Sequence, residues 1–353
     1  MTETRRGRPT MNDVAAAAGV ALKTVSRVVN NEPGVNTATA ERVQAAIDRL
    51  GYRRNDGART LRQGRTSSIG LVIEDVADPF YSGLSRAVED VALGHDYLVF
   101  TGSSGESPTR ERDLVLAFCA RRVDGLIIVP AGEDHEYLTP EVDAGIAAVF
   151  ADRPPGAGPE TDIVLCDNSS GSRAGVEHLI AHGHRRIAFL GDSPAIFTAQ
   201  ERLRGYRQAL AAAGLPYEER LVAMGPGDQA RVQADVERML SSPEPPTALF
   251  TGNGRMTVAT LRVFASLASF APPGVRHGGG AEPMERPALV GFDDFELADL
   301  LKITVVAQDP VGLGRTAAEL LFQRLSGDDG PPRRVELPTR LVDRGSGEVG
   351  PGS

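Results

Sequence analysis

Tryptophan is absent from the chain, and only two cysteines, Cys119 and Cys166, occur in its 353 residues. Both sit in apolar runs, so buried, reduced thiols are expected. A disulfide-stapled scaffold and a paired-cysteine zinc site are excluded. No apolar run approaches the ~20 residues of a membrane helix, and the charged N-terminus lacks the apolar core of a secretory signal. A soluble, cytoplasmic protein with no membrane partner is expected. Also missing are a P-loop, G-x-S-x-G and H-E-x-x-H. Nothing marks a nucleophile, a metal or a cofactor, so the chain is not read as an enzyme and no cofactor is expected. Positive charge is in deficit as well, with a formal net charge of −9.

That deficit is an average over unlike parts. Residues 1–66 hold 12 Lys/Arg against 6 Asp/Glu, a balance of +6, which leaves −15 on the remainder. A basic head on an acidic body is the footprint of a nucleic-acid-binding module attached to something else.

The head carries two short helical patterns joined at Gly19-Val20. Thr10 lies three residues before Asp13, an N-cap with an acid in the first turn. Val14, Ala15 and Ala18 make a small apolar face, and Gly19 stands where a left-handed C-cap is wanted. From Ala21 to Asn30, Val25, Val28 and Val29 point inward. Leu22, Lys23, Ser26, Arg27 and Asn30 point outward, a short and basic set that reaches base edges and phosphates in a major groove. A helix-turn-helix with Ala21–Asn30 as recognition helix is therefore expected. Asn36 can cap a third helix from Thr37 to Leu50, and Gly51 ends it.

From Ser68 onward, eight strand-like apolar runs alternate with helical stretches, the first near Ile69–Glu74 and the last near Ala288–Phe292. That alternation predicts doubly wound parallel sheets, and the number of strands predicts two lobes. Ligands in such sheets sit beyond the carboxyl ends of the strands. Residues 268–287 are rich in Gly and Pro and read as a mobile loop.

The run D-V-A-x-x-A-G-V at Asp13–Val20, followed by T-V-S-R-V-V-N at Thr24–Asn30, resembles the head of the lactose-repressor family of bacterial regulators. The likeness continues in D-P-F-Y at Asp78–Tyr81, D-R at Asp152-Arg153 and H-L-I-A-H-G-H-R-R-I-A at His178–Ala188. It goes on through E-R-L-R-G-Y at Glu201–Tyr206 and V-G-F-D-D at Val290–Asp294. It thus covers the chain from Thr10 to about Arg344. The resemblance implies a mobile basic arm at residues 1–9, a helix-turn-helix domain at 10–54 and a hinge helix or linker at 55–67. It implies an effector-binding and dimerisation body, like a periplasmic sugar-binding protein, at 68–344. Lobe one would take about 68–167 and 297–326, and lobe two about 168–296 and 327–344. Residues 345–353 read as a disordered tail.

The same resemblance implies the partners: a near-palindromic double-stranded operator, a small-molecule effector and a second copy of the chain. Leu22 and Lys23 occupy the family's base-reading positions. Lys23 can donate to guanine O6 and N7, and Leu22 can touch a thymine methyl. Ser26 and Arg27 are further base contacts, while Thr10, Thr24 and Asn30 read as phosphate ligands. In the hinge, Asn55 and Arg59 are further DNA contacts, and Leu61, among Arg59, Arg62 and Arg65, holds the place of a minor-groove wedge. The alternative is that Leu61 packs the linker against the body. Arg54 replaces the usual proline there, and Gly57 costs about 1 kcal/mol relative to alanine in a helix.

For the effector cleft the resemblance implies Arg202, Asp152, Asn253 and Asp293, with Phe80 available to stack on a ring. Phe80 as a core aromatic and Arg202 in an ordinary ion pair are the alternatives. Gly254 stands where the family usually has an aspartate. His178 and His182 sit four apart on a helix, but the run lacks a carboxylate or cysteine to complete a metal site, and none is expected. The tail lacks leucine heptads, which favours a dimer over a tetramer. The function expected is a transcriptional repressor controlled by a sugar or sugar derivative. A nucleobase or nucleoside effector is the second reading, and a sugar-binding protein without DNA-binding activity the distant third.

Overall fold

The computed structural model describes residues 9–30, 32–53, 65–266 and 286–351. They fall into two compact units, with the chain dividing between Thr66 and Ser67. The expected hinge residues Asn55, Arg59 and Leu61 lie outside the described residues, as do the basic arm up to residue 8 and the Gly/Pro-rich loop up to residue 285.

The first unit is a three-helix bundle of α1 (Met11–Ala18), α2 (Leu22–Val29) and α3 (Thr37–Leu50). Thr10 and Asp13 close a capping box, with Thr10 N donating to Asp13 Oδ2 at 2.7 Å and Asp13 N to Thr10 Oγ1 at 3.4 Å. Gly19 ends α1 in the left-handed region at φ 62, so the chain reverses there without Cβ strain. Ala21 begins α2 without a side-chain cap. Asn36 caps α3 by accepting from Thr39 N at 2.8 Å. The inward residues Val14, Val25, Val43 and Ala46 meet under Tyr52.

The second unit begins with β1 (Ser68–Ile73), α4 (Pro79–Gly94), β2 (Leu98–Ser103), α5 (Pro108–Ala120), β3 (Gly125–Ile128) and α6 (Thr139–Asp143). It continues through β4 (Ala147–Ala151), β5 (Asp162–Cys166), α7 (Asn168–Ala181), β6 (Ile187–Gly191), α8 (Phe197–Ala212) and β7 (Val222–Met224). Then come α9 (Gln229–Leu240), β8 (Ala248–Thr251), α10 (Gly254–Ser266), β9 (Ala288–Phe292) and β10 (Thr304–Ala307). The chain closes with α11 (Pro310–Leu325), β11 (Arg334–Leu337) and β12 (Arg340–Val342).

These strands build two six-stranded sheets, β11-β5-β4-β3-β1-β2 and β12-β10-β9-β8-β6-β7. All pairings are parallel except β10 with β12. Both faces of each sheet are covered, which is why the strands read as continuous apolar runs. In the first sheet Ile69, Leu71 and Ile73 pack with α4 and α11, while Val72 turns to the opposite core with Val115 and Phe118 of α5. The second sheet repeats this, with Ala188 and Leu190 on one side and Ile187 and Phe189 on the other. No helix among the described residues is long and apolar enough to cross a membrane.

Two expectations are corrected. The lobe boundaries were misplaced in the last third of the chain. β10, expected in lobe one, pairs with β9 in the second sheet. The stretch Arg334–Asp343, expected in lobe two, holds two strands broken at Pro338. β11 pairs with β5 of the first sheet, and β12 with β10 of the second. The chain therefore passes between lobes after Cys166, after Ala307 and after Leu337. The physical reason is that these short strands are placed by register with distant partners, which no local periodicity records.

The tail after Arg344 is not disordered through Pro351. Ser346 O accepts from Leu289 N at 2.8 Å, and Ser346 Oγ accepts from Thr304 N at 2.8 Å. Glu348 meets His178 Nε2 at 2.7 Å and Thr304 Oγ1 at 3.0 Å, and His184 Nε2 contacts Val349 O at 2.7 Å. A glycine-rich composition suggested disorder, but the tail satisfies backbone groups at the start of β9 and β10 that would otherwise be orphaned. Two of the three histidines in the run from His178 to His184 thus spend their rings on holding this tail.

Candidate functional site

The cleft forms where the carboxyl ends of both sheets face each other. Strand ends supply its charged and amide side chains from both lobes. Glu74 follows β1, Asp152 and Arg153 follow β4, and Asp192 follows β6. Asn253 follows β8, Asp293 follows β9 and Gln308 follows β10; all of these line one pocket. Asp152 and Asp293 are equivalent turns in the two lobes, and both hold positive φ, 68 and 72. Aspartate tolerates this region better than most residues.

Arg153 is nearly buried and organises the first-lobe side. It grips Glu106 with two nitrogens at 2.8 and 2.6 Å, donates to Pro130 O at 3.0 Å and to Tyr81 Oη at 3.0 Å. Against the cost of burial, Tyr81 and Glu106 hold its guanidinium more firmly charged than usual. Tyr81 in turn donates to Asp152 Oδ2 at 3.4 Å. Burial raises the Asp152 carboxyl, and its Oδ1 has no partner. Phe80 is half-buried, edge-on to Tyr81 with ring centroids 5.0 Å apart, and lines the cleft.

Arg202 forms the second-lobe side. A side chain on Gly205 would collide with the Ser169 carbonyl, so α8 lies close on α7. That closeness lets Arg202 Nε donate to Asn168 Oδ1 at 2.8 Å while its NH1 donates to Gly252 O at 2.6 Å. Its guanidinium lies 4.0 Å from the Phe292 ring centroid and 3.9 Å from Asp293 Oδ2. Asp293 accepts from Gln308 Nε2 at 2.5 Å and from Gly254 N at 3.2 Å. Gly254, where the family pattern has an acid, thus gives a backbone donor to Asp293. Asn253 spends its amide on the protein: Nδ2 donates to Asp192 at 2.9 Å, and Oδ1 caps Met256 N at 2.9 Å.

Across the mouth runs a contact that sequence reasoning missed. Arg255 at the start of α10, in the second lobe, reaches three acids of the first. Its distances are 2.8 Å to Glu74, 3.3 Å to Asp75 and 2.8 Å to Asp78. Burial, with Glu106 adding to it, lifts Glu74 to about 7 from an ordinary 4.5. Nothing in the sequence around Arg255 marks it, whereas Asp78 and Tyr81 belong to D-P-F-Y and Arg153 to D-R. The sign of the Glu74 effect is fixed by linkage. A carboxyl whose folded pKa is raised contributes stability below its unfolded value and loses it as pH rises toward the folded one. Relative to Glu74→Gln, the protein is expected to lose stability between pH 4.5 and 7. Melting followed by circular dichroism at stepped pH checks this, and a flat difference refutes it.

On the head, Lys23 and Leu22 are exposed at the start of α2, with Leu22 47% accessible. Thr24, Ser26 and Arg27 are half-buried on α2, and Asn30 is exposed at its end. Asn30 Nδ2 donates to Ser26 Oγ and to Glu32 Oε1, each at 3.3 Å. Thr10 is engaged in its capping box. The two cysteines are buried and free, and burial pushes Cys119 to about 11 and Cys166 to about 12, so both are protonated thiols at neutral pH.

Comparison with known proteins accords with both halves. A family model described as periplasmic binding proteins and sugar binding domain of LacI family matches residues 66–344, and one of bacterial regulatory proteins, lacI family, matches residues 10–55. The chain is 36% identical over 352 residues to the HTH-type transcriptional regulator CelR of Thermobifida fusca, covering 97% of this chain and 99% of that protein. A solved CelR–cellobiose complex is similar with TM-score 0.67 and 32% identity, covering 96% of this chain and 100% of that one. The lac repressor dimer bound to operator and the anti-inducer ONPF is similar with TM-score 0.78 and 27% identity, covering 97% and 100%. A helix-turn-helix head on a ligand-binding body of this fold defines a DNA-binding transcriptional regulator, not an enzyme. The chain belongs to the LacI family of bacterial regulatory proteins.

Proposed function

We propose that this regulator is a repressor whose operator affinity is set by a neutral sugar held between the two lobes. The charge balance of the cleft carries the reading. Glu74, Asp78, Asp152, Asp192 and Asp293 line it against Arg153, Arg202 and Arg255. Each of those cations already meets protein acceptors. A phosphorylated sugar or a sugar acid needs a cation to spare. A neutral polyol brings hydroxyl donors, which carboxylates such as Asp152 and Asp293 accept. Arg202 and Phe80 complete the wall, and Asn253 acts by holding Asp192. CelR, solved with the neutral sugar cellobiose, supports the same choice.

Binding the sugar shifts the angle between the lobes and, through the linker, the spacing of two heads in a dimer. Coupling of this kind is typically about 1–3 kcal/mol. The exposed Leu98 and Phe100 of edge strand β2, with Leu300 and Leu301, favour burial against a second copy. In that dimer Leu22, Lys23, Ser26 and Arg27 read bases, and Thr10, Thr24 and Asn30 hold phosphates. Leu61 enters the minor groove, with Asn55 and Arg59 as further DNA contacts of the hinge.

A thermal-shift panel of neutral sugars, their 6-phosphates and the matching sugar acids tests the effector class. Stabilisation by a neutral sugar that also changes operator retention in a gel shift is expected. Stabilisation by the phosphates or acids alone refutes it. Lys23→Ala is expected to relax preference at one symmetric base pair by about 1–3 kcal/mol. Binding-site selection reads this, and a uniform loss over all sequences would make Lys23 a phosphate ligand instead.

A further inference from the structure

The inner cleft has a volume of about 50 Å³. At roughly 10–15 Å³ for each water-sized group, that is about three to five groups, fewer than the ring and hydroxyls of a sugar. The lobes are drawn together over the site, and a contact within the protein has to draw them.

The ion pairs across the mouth converge on Arg255. Its backbone is fixed in the second lobe, where Asn253 Oδ1 caps Met256 N at 2.9 Å and Gly254 N donates to Asp293 Oδ2 at 3.2 Å. Its side chain lies against the first lobe. Nη1 meets Glu74 Oε1 at 2.8 Å, Nη2 meets Asp75 Oδ2 at 3.3 Å and Nε meets Asp78 Oδ2 at 2.8 Å. Each guanidinium nitrogen thus takes a different acid. Two of these acids are held by local turns: Asp75 Oδ1 accepts from Ala77 N at 3.0 Å, and Asp78 Oδ1 from Phe80 N at 2.9 Å. Arg153 and Arg202, by contrast, bond within a single lobe.

Burial raises the Asp78 carboxyl, and Asp293 across the mouth adds to it. Without Arg255 the two lobes would present like charge to each other. Against the cost of burial, Glu74 and Asp78 hold the Arg255 guanidinium more firmly charged than usual. Its side chain is 38% exposed, against 6% for Arg153, so dissolved salt reaches this bridge.

We propose that Arg255 is a latch: it draws the lobes together in place of an effector, and an effector enters only when the latch opens. This goes beyond the neutral-sugar reading and holds for any effector too large for the closed cleft. The apparent affinity is reduced by the fraction of molecules that are latched, so Arg255 sets how much effector the regulator needs.

Double electron–electron resonance on the full-length protein measures the opening directly. Spin labels are placed at Glu133→Cys and Ala195→Cys, exposed positions beyond the ends of β3 and β6 and outside the cleft lining. Labelled chain is diluted with unlabelled chain, so that distances within one copy are read. Arg255→Ala is expected to raise the ratio of long-distance to short-distance populations by about tenfold. Arg255→Lys, a point charge that meets fewer acids at once, is expected to fall between. Raising salt from about 0.1 M to about 1 M shortens the screening length from about 10 Å to about 3 Å. That change is expected to open the wild type and to leave Arg255→Ala as it was. Equal populations in wild type and Arg255→Ala overturn the latch, and so does a wild type that salt does not open. The salt series needs no substitution at Arg255, and circular-dichroism melts of each chain separate opening from loss of the fold.

Discussion

Replacing Arg153 with methionine is expected to destabilise the ligand-binding body by about 3–5 kcal/mol, the usual cost of stranding buried charge. The residue is 5% exposed, and its side chain is the shared partner of Glu106, Tyr81 and Asp152. Methionine keeps much of the volume but none of the donors. Glu106 loses two hydrogen bonds at once, and Asp152 is left in a site where burial already opposes its charge. Because the chain has no tryptophan, urea unfolding is best followed by far-ultraviolet circular dichroism, fitting the body's transition separately from the head's. Adding Glu106→Gln should recover part of the loss by removing the stranded carboxylate. A loss under about 1 kcal/mol would place Arg153 with ordinary surface pairs and refute the network.

Asp293→Ala is expected to weaken neutral-sugar binding by about 100-fold, or ~3 kcal/mol, the worth of one or two charge-assisted hydrogen bonds. Operator binding without sugar should change by less than about twofold, because the residue lies in the body and the coupling is expressed only when sugar is bound. The backbone turn at φ 72 is strained for alanine as well, so a melting curve must accompany the titration. Calorimetry measures the first effect and a gel shift the second. An unchanged sugar Kd would show that Asp293 serves only to order Gln308 and Gly254, whose donors it already accepts.

These residues differ in how visible they are in the sequence. Asp152, Asp293 and Asn253 can be found because each follows a strand, and a charged or amide side chain at a strand's carboxyl end is unusual without a cleft to serve. The geometry then separates them. Asp152 Oδ1 is buried without a protein partner and Asp293 accepts from Gln308 and Gly254, whereas Asn253 is consumed by Asp192 and a helix cap. Arg202 lines the cleft and is bonded within its own lobe, to Asn168 and Gly252. Arg255 is invisible because its importance lies in three acids about 180 positions away.

Local order along the chain was enough for the helix-turn-helix, its caps at Thr10, Gly19, Asn36 and Gly51, and the alternation that demands two-sided parallel sheets. These depend on neighbours within a few positions, where periodicity and backbone preference act directly. The number of strands added the two lobes, and family motifs pointed to Phe80, Asp152, Arg202, Asn253 and Asp293, which line one pocket. Which sheet receives β10, β11 and β12, how the last residues are held by His178 and His184, and how Arg255 bridges the lobes were decided only by tertiary structure. Each of these is a contact between groups remote in sequence. Its free energy comes from register, desolvation and geometry that exist only once the lobes have formed.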